Sequence, residues 1–223
     1  MSARFRLLAL FIALAPATTP LCAEATAPAA QAEQPPADQA AAAPTWSFAG
    51  SVYQYFVPDE DDVTTPVVKA DRGPIHLEAR YNYEAEGAGS AFFGWTFSMG
   101  DKVAVDVTPM LGGVFGDLSA VAPGVEFNLD WKDLNVYYEG EYVIDLDDDE
   151  GDFVYGWTEA TWALADWVRV GVSGQRTRLY DTGLDVQRGP MVGFTYRMID
   201  IAGYFFNPGS DDSLEVVSLS VEF

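Results

Sequence analysis

From Trp46 to Phe223 the chain is a succession of runs of about ten residues in which apolar and polar positions alternate with period two. Such alternation marks an extended strand with two unlike faces, and no stretch carries the 3.6-residue repeat of an amphipathic helix. Twelve strands are predicted, at 46–56, 63–71, 74–84, 90–99, 102–113, 124–131, 134–145, 153–164, 167–179, 190–198, 200–207 and 213–223. The second is the weakest, because Pro66 interrupts it and its alternation is poor. Tight turns fall at Asp71-Arg72-Gly73, Gly100-Asp101, Lys132-Asp133, Ala165-Asp166 and Ile199-Asp200. Longer polar loops lie between them, at 57–62, 85–89, 114–123, 146–152, 180–189 and 208–212.

The two faces suggest what surrounds the sheet. In the seventh strand Leu134, Val136, Tyr138, Gly140, Tyr142 and Ile144 share one side, and Asn135, Tyr137, Glu139, Glu141, Val143 and Asp145 the other. The third sets Ile75, Leu77, Ala79, Tyr81 and Tyr83 against His76, Glu78, Arg80, Asn82 and Glu84. A soluble sandwich alternates in the same way, with the apolar side as its core. Short connections on one end and long ones on the other favour a different solution, an all-β, closed antiparallel up-and-down transmembrane β-barrel of about 12 strands. Trp46, Trp95, Phe97, Trp131, Trp162 and Tyr196 are expected in an inner aromatic girdle, and Tyr83, Phe115 and Tyr142 in an outer one. Closure is demanded because hydrocarbon offers no partner to an unpaired backbone group. Ten residues tilted by about 45° suffice to cross.

Residues 1–23 carry Arg4 and Arg6, then the apolar run LLALFIALA, then small residues, the pattern of a secretory signal peptide cleaved after Ala23 or Ala25. The run is too short for a spanning helix. Cys22 follows Leu21 where lipoprotein processing requires a small residue. Residues 24–44 are Ala, Pro and Gln without periodicity and read as a disordered periplasmic tether, leaving 45–223 as the barrel.

The last strand places Val217, Leu219, Val221 and terminal Phe223 in alternation with Ser218, Ser220 and Glu222. It resembles the C-terminal recognition strand of Gram-negative outer-membrane β-barrel proteins, which ends in an aromatic residue read by the barrel-assembly machinery. The resemblance covers about 45–223 and implies an integral outer-membrane location, with both termini periplasmic for an even number of strands. The segments YQYFVPD, LEARYNYE, TPMLGGVFG and VQRG also resemble a small family within these barrels, which implies no mechanism.

The 223 residues hold 12 Lys+Arg against 34 Asp+Glu, a formal net charge of −22, yet 49% are apolar and 14% aromatic. So aromatic a chain is not disordered, and so acidic a surface repels nucleic acid. Strand parity puts His76, Glu78, Asp106, Glu126, Asp130, Glu139, Glu141 and Glu159 inside, with Arg80, Lys102, Arg169 and Arg197 facing them. One reading is a narrow, cation-leaning porin or channel for small solutes, because carboxylate rings favour cations. The other is a closed structural or surface-interaction barrel, whose inward charges and the hydroxyls of Tyr53, Tyr55 and Tyr137 satisfy one another. Known twelve-stranded channels for acidic oligosaccharides use basic lumens and match poorly.

Two loop clusters, Asp59-Glu60-Asp61-Asp62 and Asp147-Asp148-Asp149-Glu150, are dense enough to attract Ca²⁺ or Mg²⁺ loosely, or to meet lipopolysaccharide or protein. Asp145, Asp147 and Asp149 approach a calcium-loop pattern, but Gly151 comes one position late, so no defined metal site and no cofactor is expected. Arg176 and Arg178 continue the lipid-facing parity toward the long loops, with Arg188 opening the next strand. They are candidates for lipopolysaccharide phosphates, or for pairing with Asp181 or Asp185. His76 is the single histidine and lacks the His-x-Ser spacing of outer-membrane phospholipase A, since Leu77 and Glu78 follow it. An outer-membrane lipid-modifying enzyme is therefore the remotest reading, and the paired Glu139 and Glu141 read as structural rather than as an acid/base couple.

Overall fold

The computed structural model describes residues 44–58, 61–147, 151–179, 185–210 and 212–223. The signal peptide and the tether as far as residue 43 lie outside the described residues, as do Asp59, Glu60, Asp148, Asp149, Glu150 and Asp181 and the side chains of Arg178 and Asp185.

The described residues form thirteen strand segments, running β1 (Ser47–Phe56), β2 (Val63–Arg72), β3 (Ile75–Tyr81), β4 (Ala88–Trp95), β5 (Phe97–Met99), β6 (Ala104–Gly116) and β7 (Ala120–Trp131). They continue through β8 (Leu134–Asp145), β9 (Phe153–Ala165), β10 (Val168–Leu179), β11 (Asp185–Tyr196), β12 (Ile199–Phe206) and β13 (Leu214–Glu222). β4 and β5 both pair with β6, so they are one stave interrupted at Thr96. Each stave runs antiparallel to its neighbours, and β13 returns to β1, from Ala49 opposite Glu222 to Phe56 opposite Glu215. The result is a closed twelve-stave antiparallel barrel with no open sheet edge. Past the last stave the ladder continues, with Phe48 N–H donating to Phe223 O at 2.8 Å and Phe223 N–H to Phe48 O at 2.9 Å.

The faces are arranged inside out. Val68, Leu111, Phe115 and Val172 are 57–61% exposed on the outer wall, while Glu78, Arg80 and Glu141 are about 4% exposed within. A soluble sandwich would bury the first group, so that alternative is overturned. Trp46, Trp95, Phe97, Trp131, Trp162 and Tyr196 stand exposed at the short-turn end, joined by Phe48, Trp167, Phe194 and Phe223. Proline does not break the staves. Pro66, Pro109, Pro123 and Pro190 all occupy outward positions within strands, and β2, the weakest expectation, is a full ten-residue strand.

Two of the long connections are shorter than predicted. The loop expected at 114–123 shrinks to 117–119, because Gly, Ala and Pro hid the alternation of strands that run on to Gly116 and resume at Ala120. Gly116 takes φ +108 there, and a Cβ would lie 2.5 Å from the Gly87 carbonyl oxygen, so only glycine lets the two loops approach. β11 likewise begins at Asp185 rather than 190.

One side chain expected in the outer girdle is inside. β3 ends at Tyr81, and Asn82 turns the chain in the left-handed region at φ 54. The turn breaks the strand's alternation, so Tyr83 and Glu84 both point inward.

Candidate functional site: the occluded lumen

The barrel interior is crossed by an ionic cluster and, beside it, by an aromatic one. Arg80 of β3 is the centre of the first, with its side chain fully out of solvent. Its Nε donates to Glu78 Oε1 at 2.9 Å, Nη2 lies 2.8 Å from Glu139 Oε1, and Nη1 lies 3.3 Å from Glu141 Oε2. Glu139 and Glu141 belong to β8, four staves away around the ring, so these contacts span the lumen. The guanidinium also rests 4.3 Å from the Tyr83 ring centre and 4.4 Å from that of Phe92. Tyr83 donates its hydroxyl to Glu139 at 2.9 Å. Glu84 accepts from Ser90 at 2.7 Å and sits 3.6 Å from Arg80. Burial pushes the Glu84 carboxyl above its ordinary range, against the opposing pull of Arg80.

Toward the short-turn end Lys69 of β2 bridges Glu126 of β7 and Glu78, the latter at 3.5 Å. The Tyr137 hydroxyl lies 3.0 Å from Glu126 and 2.8 Å from Glu139, sharing its one proton between two carboxylates, which joins this group to the Arg80 cluster. His76 Nδ1 lies 2.8 Å from Asp71 and Nε2 3.3 Å from Glu78. Both ring nitrogens therefore face carboxylates rather than a hydroxyl nucleophile. Donor atoms of His76, Glu78 and Glu126 lie within 4.8 Å of one another, a set that would suit a divalent cation. The Lys69 ammonium already bridges the two carboxylates and supplies positive charge at that place.

The aromatic cluster is carried by other staves, β1, β9 and β12. Trp157 of β9 meets Tyr204 at 5.1 Å, Phe206 at 5.5 Å and Tyr53 at 6.1 Å between ring centres, all edge-on. The Trp157 indole N–H and the Tyr204 hydroxyl both donate to Glu159 Oε1 at 2.9 Å. Tyr155 joins the two clusters edge-on to Tyr83 at 5.2 Å. At the short-turn end Arg169 donates to Asp200, with Nη2 to Oδ1 at 2.8 Å.

Of the residues that parity assigned to the interior, His76, Glu78, Arg80, Asp106, Glu126, Asp130, Glu139, Glu141, Glu159 and Arg169 have inward positions. Asp106 and Asp130 are only half buried, near the short-turn mouth, where Asp106 accepts from Ser98 and Asp130 from Asn135 at 2.9 Å. Two assignments need correcting. Lys102 sits exposed in the 100–103 turn, and Arg197 sits exposed at φ 55 in the 197–198 turn with its guanidinium 5.4 Å from the Tyr196 ring. Parity read through a turn fails because the turn resets which way a side chain points.

Lys69, Asp71 and Asp200 were not expected inside, whereas Glu84 lies on the side that the polar face of its predicted strand implied. Lys69 and Asp71 share the alternation of Thr65 and Val67 in β2, a signal that Pro66 obscured. Arg176 and Arg188 are exposed on the outer wall near the long-loop end. Asp61, Asp62 and Asp147 are exposed loop residues. Val217 and Leu219 face outward in β13, with Val221 half buried beside them, and the Phe223 ring stacks on Phe48 at 6.0 Å.

No family model matches the sequence, and no curated protein matches it. The fold does have solved counterparts among outer-membrane porins. The chain is similar to the KdgM porin with a TM-score of 0.54 at 9% identity, over 78% of this chain and 99% of that one. The KdgM porin in complex with disordered oligogalacturonate gives 0.51 at 6% identity, over 79% and 98%. The NanC porin in a rhombohedral crystal form gives 0.49 at 10% identity, over 80% and 99%. The architecture is thus that of porin-type barrels.

Proposed function

We propose that the protein is a channel-like barrel of the Gram-negative outer membrane whose resting lumen is closed and whose opened lumen favours cations. The observation that carries this reading is the cross-lumen cluster of Arg80 with Glu78, Glu139 and Glu141, side chains essentially without solvent exposure. An open aqueous pore would wet these groups. In the native orientation the short turns and both termini face the periplasm, and the half-buried Asp106 and Asp130 form the periplasmic mouth. The second KdgM structure holds a polyanion, and that ligand class does not transfer to an interior where carboxylates outnumber Lys69, Arg80 and Arg169. No catalytic role is ascribed to His76, whose two nitrogens are held by Asp71 and Glu78.

The test is planar-bilayer recording on refolded protein, with heat-modifiable gel mobility as the folding control. Wild type is expected to be silent. Trp157→Ala with Tyr204→Ala removes the aromatic part of the closure and is expected to give unitary currents. Steady conductance from wild type would sink the closed resting state. Silence from the folded double variant would favour the second reading, a closed structural or surface-interaction barrel, which the hydrogen bonds of Arg80, Tyr83 and Tyr137 to buried carboxylates also support.

A further inference from the structure

The outer wall is indented across three adjacent staves. A groove of about 540 Å³ runs between Thr158 and Ala160 of β9, Val172 and Gly174 of β10, and Arg188 and Pro190 of β11. The register explains it. Val172 lies opposite both Ala160 and Pro190, and Gly174 opposite both Thr158 and Arg188, so small or stubby side chains meet on the lipid-facing side. The size is that of sites that hold small organic ligands.

Its upper boundary is cationic. Arg188 forms the long-loop end of the groove, and Arg176 stands on the adjoining stave one step further out, opposite Val186. Both side chains are exposed, and among the described residues no carboxylate forms an ion pair with either. On a molecule with a formal net charge of −22, two guanidiniums above an apolar trough are placed where an anionic headgroup would meet the wall. Planar guanidinium binds phosphate by paired charge-assisted hydrogen bonds.

We infer that this groove seats the lipid A part of lipopolysaccharide, an acyl chain lying along Ala160, Val172 and Pro190 and a sugar phosphate held by Arg176 and Arg188. The inference rests on the outer-membrane orientation proposed above, which turns the long-loop end toward the leaflet built of lipopolysaccharide. It does not depend on whether the lumen conducts.

The experiment reads lipid rather than current. Barrel refolded with lipopolysaccharide, or separately with phosphatidylglycerol, is washed in detergent and its retained lipid is quantified by mass spectrometry. Wild type is expected to retain lipopolysaccharide well above phosphatidylglycerol. Arg176→Ala with Arg188→Ala is expected to lower lipopolysaccharide retention by roughly tenfold, the loss of a charge-assisted pair. Ala160→Trp, which fills the trough with an apolar side chain, is expected to lower it comparably, and Ala160→Leu serves if the larger residue disturbs folding. Undiminished retention in the double arginine variant or in the filled variant would overturn the site. Equal retention of the phospholipid would overturn the assignment to lipid A. A Trp157→Ala, Tyr204→Ala barrel that stays silent yet retains lipopolysaccharide would count against the channel reading alone.

Discussion

Glu84 has its side chain withdrawn from solvent in the 82–87 connection, between Ser90 and Arg80, and burial raises its carboxyl above the ordinary range. A raised folded-state value has a definite consequence for pH. Below the unfolded value both states are protonated and stability is undiminished. As pH rises, the unfolded chain ionises first, and the stability contributed by Glu84 is lost through the folded-state value. Glu84→Gln removes that dependence. Its stability relative to wild type is therefore expected to grow with pH, reaching on the order of 1 kcal/mol in mildly alkaline buffer. Urea unfolding of both proteins in detergent between acidic and alkaline pH checks this, and a difference that shrinks as pH rises would refute it. Arg80 is a different case, because it holds several carboxylates at once. Its side-chain direction was evident from the alternation of β3, but its partners were not, since Glu139 and Glu141 lie some sixty residues away and meet it only through closure. Lys69 was lost for a local reason, a proline in its strand that stands harmlessly on the outer wall.

Strand alternation is reliable only as long as the backbone stays extended, and the errors cluster where it does not. Lys102 and Arg197 were assigned inward by continuing a strand's parity into a turn, and Arg197 adopts a positive φ there. Tyr83 was assigned outward by continuing β3 past Asn82, whose left-handed conformation ends the strand. The fold survives such slips because its staves are long and each is paired on both sides, whereas the lumen depends on single residues at stave ends. Asn82 is the clearest of these. Its side chain accepts from Gly87 N–H at 2.9 Å and donates to Thr64 O at 3.1 Å, while its carbonyl accepts from Thr65 at 2.9 Å. Asn82→Val forces a β-branched residue into the left-handed region and removes both side-chain bonds, with an expected cost of about 2–4 kcal/mol. Asn82→Gly keeps the conformation and loses only the bonds, with an expected cost of about 1–2 kcal/mol. Equal destabilisation of the two variants in urea titrations would show that backbone conformation is not what Asn82 contributes.

Twelve staves lie between the eight that side chains fill and the sixteen or more that leave an aqueous channel, so composition of the inner wall decides whether this barrel is open. Here bulky residues and one buried arginine crowd the interior toward the long loops, while the short-turn end stays wetter, with Asp71, Asp106 and Asp130 partly exposed. The excess of acid in the whole chain is thus not only a loop property, because part of it lines the interior. This has a measurable consequence once the closure is relieved. In the Trp157→Ala, Tyr204→Ala background, current must pass the carboxylates at the mouth, which concentrate cations and exclude anions over about a Debye length, near 10 Å at 0.1 M salt. Reversal potentials under a KCl gradient are expected to be cation-selective at 0.1 M and to weaken toward 1 M, where the screening length falls to about 3 Å. Adding Asp106→Asn and Asp130→Asn to that background is expected to move the reversal potential most of the way to zero. An anion-selective opened barrel, or one whose selectivity ignores both salt and these two substitutions, would show that the interior acid is held wholly within its ionic cluster and takes no part in conduction.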